Sequence, residues 1–253
     1  MLEQKWVTVL SQEKLSSDVY SLWLSAGAMA ETAKPGQFIS VYSQDAAHLL
    51  PRPISICEID KEKQALRIVY RVVGFGTEEF SKLKPGDNVK VTGPLGNGYT
   101  LKSQKAILVA GGIGIPPMLE LAKQLECEKT IVLGYKDALF LNNEFEPLGN
   151  VVIATEDGSA GVKGNVLDAI REHKITGDII YSCGPVPMLR ALKAYAQEMG
   201  VEAQISLEEK MACGIGACLA CVCGSKDVDG HSFVHNKRIC KDGPVFDAQE
   251  VIL

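Results

Sequence analysis

The chain has 253 residues, 46% of them hydrophobic, and a formal net charge of −5 at pH 7. This length allows one large core or two small ones with an extension, and the lack of a basic run argues against nucleic acid or an anionic membrane as a partner. The N-terminus has no secretory-signal pattern, and the longest apolar stretch, residues 106–119, is too short to span a bilayer, so we expect a cytoplasmic location.

The first hundred residues predict short strands separated by Pro-Gly turns. This pattern is typical of a small antiparallel β-barrel, expected over residues 1–100. The predicted strands are Lys5–Leu10, Val19–Leu24, Phe38–Tyr42, Leu50–Ile56, Ala65–Val73 and Asn88–Gly93.

Two segments of this half suggest a phosphate-containing ligand. Leu50–Ile56 carries Arg52 and Ser55 with two prolines beside them, which favours a strand at an edge or opening, and an arginine there can bind a pyrophosphate. A surface arginine on an edge strand is the equally weighted alternative. Gly74–Phe80 is a glycine turn entering a helix, with Thr77 as the expected N-cap, and a helix N-terminus accepts phosphate oxygens. An ordinary turn has the same pattern.

From about residue 101 strands alternate with helices, which predicts a doubly wound parallel sheet over residues 101–207. The apolar strand Ala106–Ala110 leads into a glycine turn with Gly111, Gly112 and Gly114, and then into a helix. This order of strand, turn and helix is typical of a dinucleotide phosphate site, although the complete G-x-G-x-x-G fingerprint is absent.

A later strand of the same half, Asp178–Cys183, ends at Cys183 and Gly184. In such a sheet, ligands bind at the carboxyl ends of the strands. We therefore place both residues among the nucleotide-binding candidates, with a small buried cysteine as the alternative for Cys183.

The last part of the chain, residues 208–253, is organised around cysteines. Cys213, Cys218, Cys221 and Cys240 follow the order C-x4-C-x2-C, then eighteen residues, then C. This spacing is typical of a plant-type [2Fe–2S] centre. Four thiolates also suit zinc, but zinc sites usually contain two C-x2-C pairs and only one is present. A fifth thiol, Cys223, is expected to pack rather than ligate.

Taken together, these motifs resemble the ferredoxin reductase family. The chain is similar over nearly its whole length to the electron-transfer subunits of NAD-dependent dihydroorotate dehydrogenases. The segments that carry this second resemblance are Leu50–Ile56, Gly93–Gly98, Met211–Cys223 and Arg238–Phe246.

The resemblance implies FAD in the barrel, NAD in the α/β domain and a [2Fe–2S] cluster ligated by Cys213, Cys218, Cys221 and Cys240. The family's arginine-x-tyrosine-serine motif stands here as Arg52-Pro53-Ile54-Ser55, so the aromatic partner of the flavin stays open, with Tyr70 as a candidate. Before Cys240 the spacing suggests an insertion at His231–His235. The residues implied to contact FAD are Arg52, Pro53, Ile54, Ser55, Val69, Tyr70, Arg71, Gly76 and Thr77.

The three cofactors imply an electron-transfer path. An iron–sulfur centre passes single electrons and nicotinamide takes a hydride, whereas a flavin does both and belongs between them. By resemblance, the electrons come from the FMN of a separate dihydroorotate-oxidising subunit, in a heterotetramer with two copies of each chain, within pyrimidine biosynthesis. Hydride transfer from flavin needs no side-chain general base, so no catalytic residue is predicted.

Other functions share these parts. The chain could be an FAD and iron–sulfur subunit of a ferredoxin–nicotinamide transhydrogenase, a hydrogenase or a sulfite reductase. Lys136 and Asp137 follow the second strand of the sheet, and this mixed pair favours NAD over NADP, which needs a basic cluster. A redox-sensing or scaffold subunit, with only slow turnover of artificial acceptors, is the non-enzymatic alternative.

Overall fold

The computed structural model describes residues 3–228, 230 and 233–253. They form two compact units. The first contains the residues through Gly98 with Glu208–Val222 and Arg238–Pro244, and the second contains Tyr99–Leu207, Cys223–Lys237 and Val245–Leu253. The segment after Leu207 thus contributes to both, and the three-domain division at residues 100 and 207 stays a prediction. The insertion expected at His231–His235 begins outside the described residues.

A closed six-stranded antiparallel barrel dominates the first unit, as predicted, with the strand order β1, β2, β5, β4, β3, β6. Alternating apolar residues fill it, among them the fully buried Leu22, Ile56 and Ile68, because successive strand residues point to opposite faces. Its elements are β1 (Glu3–Lys14), β2 (Val19–Ser25), α1 (Ala28–Thr32), β3 (Phe38–Val41), β4 (Arg52–Asp60), β5 (Ala65–Arg71), α2 (Phe75–Phe80) and β6 (Asn88–Leu95).

The second unit is built on a seven-stranded sheet in the order β10, β9, β8, β7, β11, β12, β15, of which β15 (Val245–Asp247) comes from the C-terminal segment, and this order confirms the predicted doubly wound fold. Every strand pair is parallel except β12 with β15. Its elements through residue 206 are β7 (Ala106–Gly111), α3 (Pro116–Gln124), β8 (Lys129–Tyr135), α4 (Asn142–Phe145), β9 (Asn150–Thr155), β10 (Val162–Lys163), α5 (Val166–Glu172), β11 (Ile179–Cys183), α6 (Val186–Met199) and β12 (Glu202–Ser206).

The strand order reverses between β7 and β11, because β8 and β9 continue on one side and β12 on the other. This is the topological switch point, outside which ligands bind in open α/β sheets. All six residues of β7 are buried, as a central parallel strand requires.

Four short strands follow in the C-terminal segment. One of them, β15, adds an antiparallel edge to the large sheet next to β12. The other three form a separate small sheet in the order β14, β13, β16. Their bounds are β13 (Val222–Ser225), β14 (Asn236–Arg238), β15 (Val245–Asp247) and β16 (Val251–Ile252). Across the described ranges, every helix is too short or too polar to cross a membrane.

Glycines allow two backbone turns to touch at the switch point. A Cβ on Gly114 would lie 2.4 Å from the Cys183 carbonyl oxygen and 2.6 Å from the Gly184 nitrogen. A Cβ on Gly184 would meet the Met188 Cε at 2.4 Å and the Gly111 nitrogen at 3.1 Å. The backbones at the C-terminal ends of β7 and β11 are therefore in direct contact, and side chains cannot fit between them.

We predict that Gly114→Ala destabilises the second unit by about 3 kcal/mol, because the new methyl group meets main-chain atoms that cannot turn aside. Gly200→Ala is the matched control: Gly200 also has a positive φ, 65°, but a Cβ there meets open space, so only about 1 kcal/mol is expected. Urea unfolding followed by circular dichroism measures both, and equal losses would contradict the packing argument.

Candidate cofactor sites

An opening in the barrel lies between the start of β4 and the end of β5. The two strands pair only from Ile56 to Asp60 on β4. Upstream of this, residues 52–55 pair with β3 alone, and residues 69–71 pair with β2 alone. The two implied FAD segments of these strands therefore flank one gap, as expected for a strand with prolines at an opening.

The third implied FAD segment contacts the first. A Cβ on Gly76 would lie 2.9 Å from Nε and 3.1 Å from Cζ of Arg52, so the guanidinium lies directly on the first turn of α2. Arg52 also donates from Nη1 to the Leu50 carbonyl at 2.5 Å. A planar cation and backbone amides of a helix start thus lie side by side, a combination suited to a pyrophosphate.

The expectation that Thr77 caps α2 is wrong. The N-cap is Gly74, and Thr77 is the third helical residue. Its buried hydroxyl accepts from the Val73 and Gly74 N–H groups at 3.0 and 3.2 Å and donates to the Gly74 carbonyl at 2.9 Å. Thr77 therefore shapes the glycine turn from inside the helix, in the manner of a capping-box residue.

Tyr70 is part of the barrel core. Its ring stacks on Tyr20 at 6.1 Å between centroids and meets Phe80 edge-on, and its hydroxyl donates to Gln12 Oε1 at 3.1 Å. Burial raises the pKa of Tyr70. A contact between Tyr70 and the flavin ring stays a prediction, as does each residue assignment around FAD.

The predicted dinucleotide residues meet at the switch point of the second unit. Gly111 ends β7, Gly112–Gly114 form a 3-10 turn, and α3 begins with two prolines as expected. Gly112 has φ 53° and a Cβ there would face open space, whereas Gly111, Gly114 and Gly184 are closed in by their neighbours. Of these four glycines, only Gly112 thus leaves its backbone open to the surroundings, and a phosphate contact there stays a prediction.

Cys183 enters this arrangement through its main chain. Its carbonyl group lies under Gly114, while its thiol is half-buried at the end of β11. A chemical role for the thiol stays a prediction.

Backbone N–H groups of the loop from Cys213 to Cys221 are directed at the sulfur atoms of Cys213 and Cys240. Ile215 and Ala217 donate N–H to Cys213 Sγ at 3.4 and 3.3 Å, and Gly216 donates to Cys240 Sγ at 3.1 Å. The Cys240 N–H donates to Cys221 Sγ at 3.4 Å. Such N–H···S bonds stabilise thiolates and adjust the potential of an iron–sulfur centre.

The four cysteines associate as two pairs. Burial acts to raise the pKa of the Cys213 thiol, but hydrogen bonds from Ile215, Cys218 and Ala217 outweigh it and lower that pKa to about 6. Burial and the thiol of Cys221 raise the pKa of Cys240 to about 12. Cys213 thus contacts Cys218, and Cys240 contacts Cys221.

This donor set fits a two-iron cluster. Each iron of such a centre takes two protein thiolates. The contacts of Cys213 with Cys218 and of Cys240 with Cys221 supply two such pairs, and backbone amides are directed at their sulfurs.

The cysteine loop packs on the barrel beside the strand implied to bind FAD. A Cβ on Gly214 would lie 3.1 Å from Ser40 Oγ on β3 and 3.5 Å from a methyl group of Leu95 on β6. Ser40 pairs with Pro53 of β4 across the ladder. One strand therefore separates the cluster loop from the implied FAD residues, within a single unit.

Sequence reasoning missed three residues near the ligand candidates. Leu219 has φ 57° between the ligand candidates Cys218 and Cys221, a conformation that a leucine rarely adopts. Arg238 and Asp242 form an ion pair around Cys240, and only their separation of four residues gave a signal in the sequence.

We predict that Leu219→Gly slows, and Leu219→Val speeds, iron loss from the purified chain to a chelator. Glycine takes the left-handed conformation without strain, whereas a β-branched residue is strained there by about 1–3 kcal/mol. Iron release followed by absorbance measures this, and equal rates for both variants would show that the backbone at 219 does not limit cluster retention.

Two family models match the chain. The iron–sulfur cluster binding domain of dihydroorotate dehydrogenase B matches residues 208–252, and the oxidoreductase FAD-binding domain matches residues 6–99. A structure of an NADH-dependent reduced ferredoxin–NADP oxidoreductase superposes with a TM-score of 0.88 at 30% identity, over 97% of this chain and 89% of that one. Flavohemoglobin from Malassezia yamatoensis, with a TM-score of 0.65 at 20% identity over 80% of this chain and 60% of that one, shares the fold.

Full-length relatives are more similar in sequence. The dihydroorotate dehydrogenase B (NAD(+)) electron transfer subunit of Geobacillus sp. (strain WCH70) is 44% identical over 263 residues, with 100% of both chains covered. Its counterpart from Bacillus cereus (strain B4264) is 43% identical over 264 residues, again with 100% of both covered. The chain therefore belongs to the family of electron transfer subunits of dihydroorotate dehydrogenase B, as its sequence motifs predicted.

Proposed function

We propose that the chain passes electrons from the FMN of a catalytic dihydroorotate dehydrogenase subunit, through a [2Fe–2S] centre and FAD, to NAD⁺. The observation that carries this proposal is the packing of the Cys213–Cys221 loop, which holds three of the four ligand candidates, on β3, the direct neighbour of the strand that begins with Arg52. When bound, FAD exchanges single electrons on one side and a hydride on the other.

The chain's own residues hold and orient these groups. We assign the cluster to Cys213, Cys218, Cys221 and Cys240. The sulfurs of Cys213, Cys221 and Cys240 already accept hydrogen bonds from backbone N–H groups. The FAD pyrophosphate is assigned to Arg52 with the start of α2, and the flavin to the gap between residues 52–55 and 69–71. No side chain needs to move a proton for hydride transfer, so placement is the main task of the protein.

NAD⁺ is assigned to the switch point of the second unit, with Gly112 at the phosphates. Beyond β8, Lys136 and Asp137 are both exposed. Asp137 accepts the Ala138 N–H at 2.5 Å, which holds its carboxylate at the end of the strand. A carboxylate in this region favours the ribose 2′-hydroxyl of NAD over the 2′-phosphate of NADP.

The catalytic subunit is proposed to dock at the exposed side of the cysteine loop. Cys218 is exposed, and the neighbouring Ile215, Leu219 and Val222 expose apolar side chains. Apolar residues around a solvent-facing ligand suit a contact that must exclude water over a short electron-transfer distance. Two copies of each chain in a heterotetramer are the assembly that we propose.

A second candidate is the corresponding subunit of a ferredoxin–nicotinamide transhydrogenase, favoured by the TM-score of 0.88 with a structure of that kind. Anaerobic affinity purification of this chain from its native cells, with mass spectrometry of the bound protein, separates the two. A dihydroorotate-oxidising flavoprotein supports the proposal, and a transhydrogenase subunit supports the alternative.

We predict that Arg52→Met weakens FAD binding at least tenfold, because a charge-assisted contact to phosphate contributes about 1.5–3 kcal/mol. Lys82→Met is the matched control: it removes the same charge just beyond the C-terminal end of α2, where Lys82 pairs with Glu78 at 3.0 Å. Fluorescence titration of flavin-free chain with FAD measures both. Equal affinities of the two variants for FAD would show that Arg52 does not bind the pyrophosphate.

We predict that Cys218→Ala abolishes NAD⁺-linked orotate formation by the complex while leaving FAD bound, because one iron loses a ligand and the single-electron path is broken. Cys223→Ala, which removes the fifth thiol of the same segment, is expected to keep both iron and activity. Iron content, flavin content and orotate formation are measured together. NAD⁺-linked turnover by Cys218→Ala would refute the proposed path.

A further inference from the structure

The turn around Cys240 is closed by one ion pair. Arg238 donates from Nε to Asp242 Oδ2 and from Nη2 to Oδ1, both at 3.0 Å, and its backbone N–H donates to Oδ2 at 2.8 Å. The two side chains expose only 13% and 26% of their surface. The residues two before and two after Cys240 are thus joined by a two-pronged contact, which fixes both groups more firmly than a single surface ion pair.

The remaining nitrogen of this guanidinium reaches the cysteine loop. Arg238 Nη1 donates to the Gly216 carbonyl at 3.3 Å. This carbonyl belongs to the peptide group whose N–H, on Ala217, donates to Cys213 Sγ at 3.3 Å. Gly216 itself donates its N–H to Cys240 Sγ at 3.1 Å. Arg238 therefore binds the Gly216–Ala217 peptide, whose N–H donates to the Cys213 sulfur. The N–H of the preceding peptide, on Gly216, donates to the Cys240 sulfur.

We propose that Arg238, oriented by Asp242, is a positioning residue that sets the reduction potential of the [2Fe–2S] centre through the Gly216–Ala217 peptide. The inference rests on the proposed cluster site and deepens it. A cation on the carbonyl polarises the peptide and makes its N–H a stronger donor, since linked hydrogen bonds reinforce one another. Stronger N–H···S bonds stabilise the more negative, reduced cluster and raise its potential.

The chemistry of arginine explains why this residue type occupies the position. Two nitrogens of one plane bind the carboxylate of Asp242, while a third is directed to Gly216 in a fixed orientation. A lysine ammonium has three donors on a flexible stem and no such plane. The ion pair keeps the guanidinium from turning away from the carbonyl.

Lys241 provides a control for charge alone. Its aliphatic stem covers Gly216, with Cδ 2.7 Å from the place of a Cβ there, and it directly follows the ligand candidate Cys240. Lys241→Met and Arg238→Met remove the same charge from the same turn and keep an unbranched stem. Only Arg238→Met also removes the bond to the Gly216 carbonyl.

The test is a redox titration of the cluster, followed by electron paramagnetic resonance, in the intact complex with its cofactors. We expect Arg238→Met to shift the midpoint potential to a clearly more negative value than Lys241→Met does. If Arg238→Met does not retain iron, Arg238→Lys takes its place in the same comparison. That variant keeps the charge but not the planar group, and a negative shift is again expected.

Asp242→Asn gives the sharpest outcome, because the two explanations predict opposite signs. Loss of a negative charge alone makes reduction easier and shifts the potential upward, whereas a loosened Arg238 shifts it downward. A downward shift supports the inference. An upward shift, or equal shifts for Arg238→Met and Lys241→Met, overturns it while leaving the proposed function intact. A wild-type complex without the cluster signal would overturn the proposed function itself.

Discussion

The conformation of the Cys213–Cys221 loop depends on one kind of interaction, the hydrogen bonds from backbone N–H groups to cysteine sulfurs. Thiolates in a cluster carry negative charge that the protein has to stabilise without moving, and the Cys213–Cys221 loop does so with main-chain N–H groups. This requires tight turns, so Gly214 and Gly216 take positive φ and Leu219 is drawn into the same region. The barrel supports the loop through Ser40 and Leu95. A strain of this kind at a functional site persists only where its surroundings fix it.

In the second unit, the main chain at the proposed binding site is shaped by glycines. There, glycines bring two backbone turns into contact at the point where the strand order reverses, and only Gly112 is left facing open space. In both places main-chain groups complete the surroundings of the proposed ligand: backbone N–H groups beside the cysteine sulfurs, and the open backbone of Gly112 at the switch point. This explains why few charged residues besides Arg52 are assigned to the cofactors.

Much of the fold was predictable because its signals are local. The barrel strands alternate, β7 is uniformly apolar, and the glycine turns end their strands, so both architectures and the cysteine set could be derived from pattern. The C-terminal strands could not, since β15 and β16 have three and two residues and no period to detect. The prediction that Thr77 is the N-cap of α2 was wrong because its hydroxyl group forms hydrogen bonds with Gly74. These bonds depend on the conformation of the turn and not on the residue type. The proposed role of Arg238 could not be predicted from the sequence, because it depends on the folded loop that brings the Gly216 carbonyl beside the guanidinium.

The path of the C-terminal segment has a consequence for how the holoprotein is made. The chain returns to the barrel unit at Arg238–Pro244 with the fourth cysteine, then goes directly to the edge of the large sheet as β15. The four ligand candidates thus come from two stretches of sequence that are separated by β13 and β14. A full ligand set forms only when this segment brings Cys240 back beside the Cys213–Cys221 loop. Cluster binding and the folding of the C-terminal segment are therefore coupled, since the binding free energy of a metal site is also folding free energy.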